Sequence, residues 1–457
     1  MRKMIRIALI LSLSVSNAFA QDARDAYRAK IREWVMSRAR SALPALPTIA
    51  PLRNDQASDL VDELRFTNLA KMEDAQLMSA RLENGPWSSS YWPLYAGQIA
   101  GRYADPNYTP GLNWSKNARY LESVIGKGRN EELSASEKYD LLVGDAAFTL
   151  TRKNINAGAP YADRDGSVPT WFGICHGWAP ASFMESRPRH SVTVKAADGR
   201  ELTFTPSDLK ALASLLWANG AGETKFIGGR CNQANPPRDP VNHRETDPDC
   251  FDTNPATWHL AVVNQIGVAK RSFVADVSPG AEVWNQPAVG YRYTYVNAAS
   301  GAAAASLAAA KVRLKDWRED PYSATRSPNA VYVVKVQMSF EYGSETQPST
   351  FSDDRPDLDA HASQNWVYDL ELDESGEIVG GEWYSYAHPD FLWVPVKGSH
   401  ASSVGDDALD RQNDHAVWAP GESVPRAWRA AAKNSSANEQ PLARIVEKLL
   451  ELSNGAN

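Results

Sequence analysis

The 457-residue sequence predicts an α+β protein. Three observations point there. Helical periodicity dominates up to about residue 84. From about residue 190, alternating apolar and polar runs are punctuated by turn pairs such as Asp198-Gly199 and Ser375-Gly376. Capped helices, opening at Ser134 and at Thr205-Pro206, fall among those runs. The length exceeds one small core and implies two or three units. The boundaries expected are a leader at 1–20, a mostly α-helical N-terminal region at 21–130, a main α+β unit at 131–400, and a tail with a terminal helix at 401–457.

The leader comes first in chain order. Arg2, Lys3 and Arg6 precede a short apolar run, Ile7 to Val15, and Ala18-Phe19-Ala20 has the small-x-small form of a cleavage site. This is a secretory signal peptide, so the mature chain is expected to begin at Gln21 and to be secreted or periplasmic. No later stretch is apolar for long enough to span a bilayer. A formal net charge of −7 without a basic block argues against nucleic acid as a partner.

Ala26 to Ala42 and Gln56 to Leu82 read as helices, stopped by Pro44 to Pro51 and by Asn84-Gly85-Pro86. Trp87, Tyr91 and Trp92 form an aromatic cluster best read as a packed seam. Ser134 and Glu137 make a capping box that opens a helix through about Thr151. His190 to Lys195 and Glu201 to Phe204 form a hairpin. Thr205-Pro206 starts a helix through about Trp217. Trp258 to Ile266 and Ser272 to Val277 read as two adjacent apolar strands. Ala298 to Ala310 reads as an exposed helix or insertion. Val331 to Tyr342 is a strand, Trp366 to Leu372 pairs with Ile378 to Tyr384, and Pro441 to Leu452 closes the chain as a helix.

The chain has three cysteines. Export makes a disulfide reasonable. Cys231 and Cys250 bracket a Pro-, Asn- and Asp-rich segment that buries little, and bridging them would contribute roughly 3 kcal/mol. A zinc site from Cys231, His243, Cys250 and His259 is the rival reading, but the spacing lacks a close Cys-x-x-Cys pair. The disulfide leaves Cys175 free, which flags reactivity.

Cys175 lies in Trp171-Phe172-Gly173-Ile174-Cys175-His176-Gly177-Trp178. At a helix N-terminus the unpaired N–H groups favour thiolate over thiol. Gly173 is expected to leave room for a substrate carbonyl, the Cys175 N–H to supply an oxyanion donor, and Trp171, His176 and Trp178 to line the site. A thiol nucleophile needs a base. Among eight histidines, His259 is favoured because a polar residue opening a buried strand needs a reason. His176 is a helix neighbour that cannot face Cys175. Asp276, at the end of the next strand, is expected to orient His259, with Asn264 as the alternative.

At these residues the sequence resembles the transglutaminase elicitor family, known from oomycete cell walls and found in bacteria. Gly173 to Ala181, Asn254 to Gly267, Asp276 to Gly290 and Trp366 to Trp393 carry the resemblance. Val283-Trp284-Asn285-Gln286-Pro287 is similar to the start of the surface segment that plants recognise, and Ala288-Val289 departs from the usual Val-Arg. The resemblance implies a papain-like core over 131–400, with the cysteine on a helix and His259 and Asp276 on an antiparallel sheet. It implies a protein-glutamine γ-glutamyltransferase that takes a glutamine donor and an amine acceptor. No cofactor is required by the residues read here. Calcium enters through the resemblance alone, and the loose acidic cluster of Asp353, Asp354, Asp357 and Asp359 reads as a solvated loop in preference to a calcium site. Two other readings keep different parts of this picture: a cysteine hydrolase, either deamidase or protease, with the same triad, and a non-catalytic wall-binding protein using the 15 tryptophans. The region at 21–130 is expected to brace the catalytic unit or hold it latent.

Overall fold

Helix caps written in the sequence fix much of the helical layer. The structure, a computed structural model, describes residues 55–230, 237–240, 244–247, 250, 253–278, 282–385, 388–419 and 421–455. The leader, the helix expected at 26–42, Cys231 and His243 lie outside the described residues.

The helices α1 (Leu69–Asp74), α2 (Trp114–Val124), α3 (Ala135–Val143), α4 (Thr149–Asn156), α5 (Cys175–Met184) and α6 (Pro206–Gly220) come first, with β1 (Ser79–Arg81), β2 (Val192–Lys195) and β3 (Glu201–Phe204) among them. The capping box of α3 is made as expected: Ser134 Oγ accepts from Glu137 N at 3.3 Å, and Glu137 Oε2 accepts from Ser134 N at 3.0 Å. Glu137 also meets buried Arg102 at 2.6 Å, so one side chain ends a helix and ties it to the preceding loop. Gly144, with φ +69°, stops α3 well before Thr151. Thr205 caps α6 by accepting from Asp208 N at 3.2 Å. Buried Lys138 and Asp208 meet at 2.6 Å and join α3 to α6.

The remaining elements are β4 (Thr224–Gly228), α7 (Pro255–Val262) continued by a π turn (Val263–Val268), β5 (Val274–Asp276), β6 (Asn285–Val296), β7 (Ala303–Ala304), α8 (Leu307–Ala310), β8 (Val312–Arg313), β9 (Tyr332–Ser344), β10 (Ala360–Leu372), β11 (Ile378–Gly380), β12 (Phe391–Pro395), α9 (Val404–Arg411), α10 (Arg426–Ala437) and α11 (Ala443–Ser453). A ten-stranded antiparallel sheet runs β11-β10-β9-β6-β5-β12-β4. Strands β1 and β7 also pair with β6, and β8 pairs with β9. β2 and β3 form the separate expected hairpin. The register of β5 against β6 sets Asp276 opposite Asn285.

Two apolar cores follow from this arrangement. One lies between α7 and the sheet, around Trp258, Phe340, Trp366 and Leu392. The other gathers α3, α5, α6, α10 and α11 around Trp178, Trp217 and Leu449.

Three expectations are corrected. Gln56 to Leu82 is not one helix: Leu60, Val61, Leu69 and Met72 are buried from separate short elements that end in β1. Ala298 to Ala310 holds only β7 and the single turn of α8. Trp258 to Ile266 is helix and π turn, not strand. Asn254 caps α7 through its Oδ1, which accepts from Ala256 N at 2.9 Å, and Pro255 supplies a first position needing no N–H donor. Because α7 is buried nearly all round, its apolar run carries no helical period to read.

Helices α5 and α6 cross at Gly177, where an added Cβ would lie 2.1 Å from the Ser214 carbonyl oxygen and 2.7 Å from Ala218 N. Both contacts are backbone and have little room to retreat. Gly177→Ala is therefore expected to cost about 1–3 kcal/mol by overpacking. Urea unfolding monitored by tryptophan fluorescence measures this, and an unchanged midpoint would show that the helices separate freely.

Candidate active site

Cys175 is the first residue of α5 and carries a free, buried thiol. Two groups touch its sulfur. Asn285 Nδ2 donates to Sγ at 3.6 Å, and Sγ lies 3.8 Å from the Val283 carbonyl oxygen, which accepts from the thiol. Both partners belong to the chain running into β6. Asn285 Oδ1 in turn accepts from Trp393 Nε1, on β12, at 2.8 Å. Opposite Asn285 lies Asp276 at the end of β5. Its Oδ1 accepts from Ser278 Oγ at 2.8 Å, Trp284 N at 3.0 Å and Ser278 N at 3.3 Å. Its Oδ2 is buried and has no hydrogen-bond partner. Tyr91 packs edge-on against Trp284, with ring centroids 5.2 Å apart.

The electrostatics correct one expectation. Burial pushes the Cys175 thiol up to about 11, against the helix N-terminus and the Asn285 amides, and the negative charges of Glu345 and Asp276 push it further. Burial likewise raises the Asp276 carboxyl to about 6, while the bonds from Ser278 and Trp284 hold it down. The thiol is therefore protonated at neutral pH.

His259 is not beside Asp276. It lies on α7, wholly buried, where Nδ1 meets the Tyr368 hydroxyl at 2.8 Å and the ring packs edge-on against Tyr293, centroids 4.7 Å apart. Its Nε2 is buried without a partner. None of these contacts reaches Cys175 or Asp276, because a helix replaced the strand that was to bring them together. Burial drives the imidazole down to about 3, so it is neutral. Asn264 serves the fold: its Oδ1 accepts from Arg65 N and Phe66 N at 3.0 and 2.9 Å.

The expected lining residues divide. His176 is half-buried beside Cys175, with its imidazole lowered to about 4 by burial. Trp178 is fully buried and donates from Nε1 to the Trp87 carbonyl at 3.1 Å, so it belongs to the core. Trp171 is buried edge-on to Phe172. Gly173 serves the packing of the backbone. Its missing Cβ would lie 2.4 Å from the Tyr91 carbonyl oxygen, so glycine is needed for a close backbone approach. The residue passed over is Asn285, which lies in the quoted Val283 to Pro287 motif.

The acidic cluster does not fit calcium. Asp353 pairs with His190 at 2.7 Å, Asp354 with Lys210 at 2.7 Å and Arg187 at 2.8 Å, Asp357 with Arg355 at 2.6 Å, and Asp359 with Arg187. Basic side chains already pair with each of these carboxylates.

A neutral buried imidazole has a definite acid signature. Folded His259 stays unprotonated down to about 3, whereas the unfolded chain takes up its proton near 6.5. Stability is therefore lost as pH falls below 6.5. His259→Phe is expected to flatten that loss in urea titrations between pH 7 and 5 and to leave the pH profile of Cys175 alkylation unchanged. A changed alkylation profile would restore His259 as the thiol's partner.

Comparison with known proteins bears on this geometry. A search of curated proteins finds no match. Among solved structures, the crystal structure of the GP42 transglutaminase from Phytophthora sojae shares the fold, with a TM-score of 0.52 at 23% identity over 83% of this chain and 92% of that one. The family model described as transglutaminase elicitor matches residues 61–417, a span that includes Cys175, Asp276, Asn285 and Trp393. By that match, the chain belongs to the transglutaminase elicitor family.

Proposed function

We propose that this protein is a protein-glutamine γ-glutamyltransferase with Cys175 as its nucleophile. The observation that carries the reading is a free thiol at the first position of a helix, touched by an amide donor and close to a buried carboxylate with one unused oxygen. The sulfur attacks the glutamine side-chain carbonyl carbon, and the C–N bond breaks as the amide nitrogen takes up the proton that left the thiol and departs as ammonia. The resulting thioester is resolved by a primary amine, which forms the isopeptide bond and returns the sulfur. The thiol proton must leave before attack. Asp276 is the group assigned to receive it, in place of the His259–Asp276 pair expected from sequence. Burial raises the thiol to about 11, so the arrangement described above is the resting one. Substrate entering between Cys175 and the Val283 carbonyl removes the acceptor that holds the proton on sulfur.

Hydrolysis by water in place of the amine uses the same residues and differs only in what reaches the thioester. The Cys231–Cys250 disulfide and export through the leader at 1–20 complete the proposal. No described helix is long and apolar enough to cross a membrane.

A glutamine donor mixed with a fluorescent amine tests the reading. Incorporation that disappears in Cys175→Ala is expected, and ammonia release without incorporation would instead identify a hydrolase. The rate should rise with pH through about 6 as Asp276 ionises. Asp276→Asn should remove that limb and lower the rate by roughly 10²–10⁴-fold, the usual scale of a general base. Incorporation that persists in Cys175→Ala would end the assignment.

A further inference from the structure

The two ends of the Asn285 amide are not equivalent. Trp393 Nε1 can only donate, and it meets Asn285 Oδ1 at 2.8 Å. The oxygen is therefore taken, and Nδ2, which can only donate, is turned toward Cys175 Sγ at 3.6 Å. The sulfur thus faces one acceptor, the Val283 carbonyl at 3.8 Å, and donors from Asn285 alone, its side-chain amide and its backbone N–H. A thiol uses the first and a thiolate uses the second.

We propose that Asn285 is a catalytic residue that donates an N–H to the Cys175 thiolate, and that Trp393 is a positioning residue that keeps the amide turned to do so. The proposal rests on the reading of Cys175 as nucleophile and adds what stabilises its charged form. The backbone spacing fits it. Asn285 opens β6 opposite Asp276, and Trp393 lies on β12, the strand on the far side of β5. Three strands thereby converge on one sulfur carried by α5. Burial raises the thiol, and the backbone and side-chain amides of Asn285 are the groups that oppose the rise. The other groups bearing on the sulfur are Asp276 from β5, Glu345 just beyond β9 and Tyr91 from the aromatic seam, while Arg230 acts on Asp276. None of them is altered in the variants below.

The test is the rate of iodoacetamide alkylation of Cys175 against pH, on the full chain, beside amine incorporation. Trp393→Phe keeps an aromatic ring and removes the indole N–H. It should slow alkylation at neutral pH by about tenfold and move the profile to higher pH, as expected for loss of a hydrogen bond to a charged group. Asn285→Ala should slow it at least as much, and Asn285→Asp, which puts a carboxylate where the donor was, should slow it further. Unfolding exposes the thiol and speeds alkylation, so it cannot imitate the expected slowing. Urea titration identifies any variant affected in that way, and the remaining two then decide. Wild-type alkylation profiles in folded variants would overturn the proposal even with amine incorporation intact. A shifted profile in a protein that incorporates no amine would instead keep the Asn285 contact and remove the transglutaminase reading.

Discussion

The pairing of β5 with β6 is the constraint on which the site depends. It sets Asp276 opposite Asn285 and leads the chain past Val283 so that a carbonyl and an amide both reach Cys175. A slip of one residue would send each of these side chains to the other face of the sheet. The register is held from both flanks. β12 pairs with β5 and sends Trp393 onto Asn285, while β9 and β1 both pair with β6 beyond Pro287. The thiol itself comes from the helical layer, where the glycine crossing of α5 and α6 lets α5 sit tightly. The site is thus assembled at the joint between the two cores.

Burial decides the chemistry of that joint. A helix N-terminus favours thiolate, yet the low polarisability around Cys175 and two nearby carboxylates outweigh it. The same burial keeps Asp276 partly protonated near neutral pH and His259 wholly neutral.

Several features were legible because they depend on neighbours in the chain. Ser134 with Glu137, Thr205 with Pro206, and the Asp198-Gly199 turn each act within a few residues, and each does what its spacing implies. Cys175 at the start of a helix was legible for the same reason. The position of His259 was not, because α7 is apolar all round and its period is lost. The Asn254-Pro255 pair did carry the helix signal, and the Leu-Ala-Val-Val run hid it. The run at 56–82 misled in the opposite way: its apolar residues fall at helical spacing yet are buried by separate elements. Asn285 was missed because it does not titrate, and a search for acids, bases and nucleophiles passes over an amide whose orientation is fixed by an indole more than 100 residues away.

One feature of the N-terminal segment carries further. Asn264 and Gln265, in the π turn, hydrogen-bond the backbone of Arg65, Phe66 and Asp62, and Asp62 also pairs with Arg271 at 3.0 Å. Further along, β1 adds to β6 beyond the register that sets Asp276 opposite Asn285. This stretch is stitched into the sheet side chain by side chain, so it behaves as part of the frame and not as a detachable wrapper. Asp55 is held as well, by Gly228 N and Thr257 Oγ1, so a proteolytic cut that left this frame intact would have to fall upstream of Asp55.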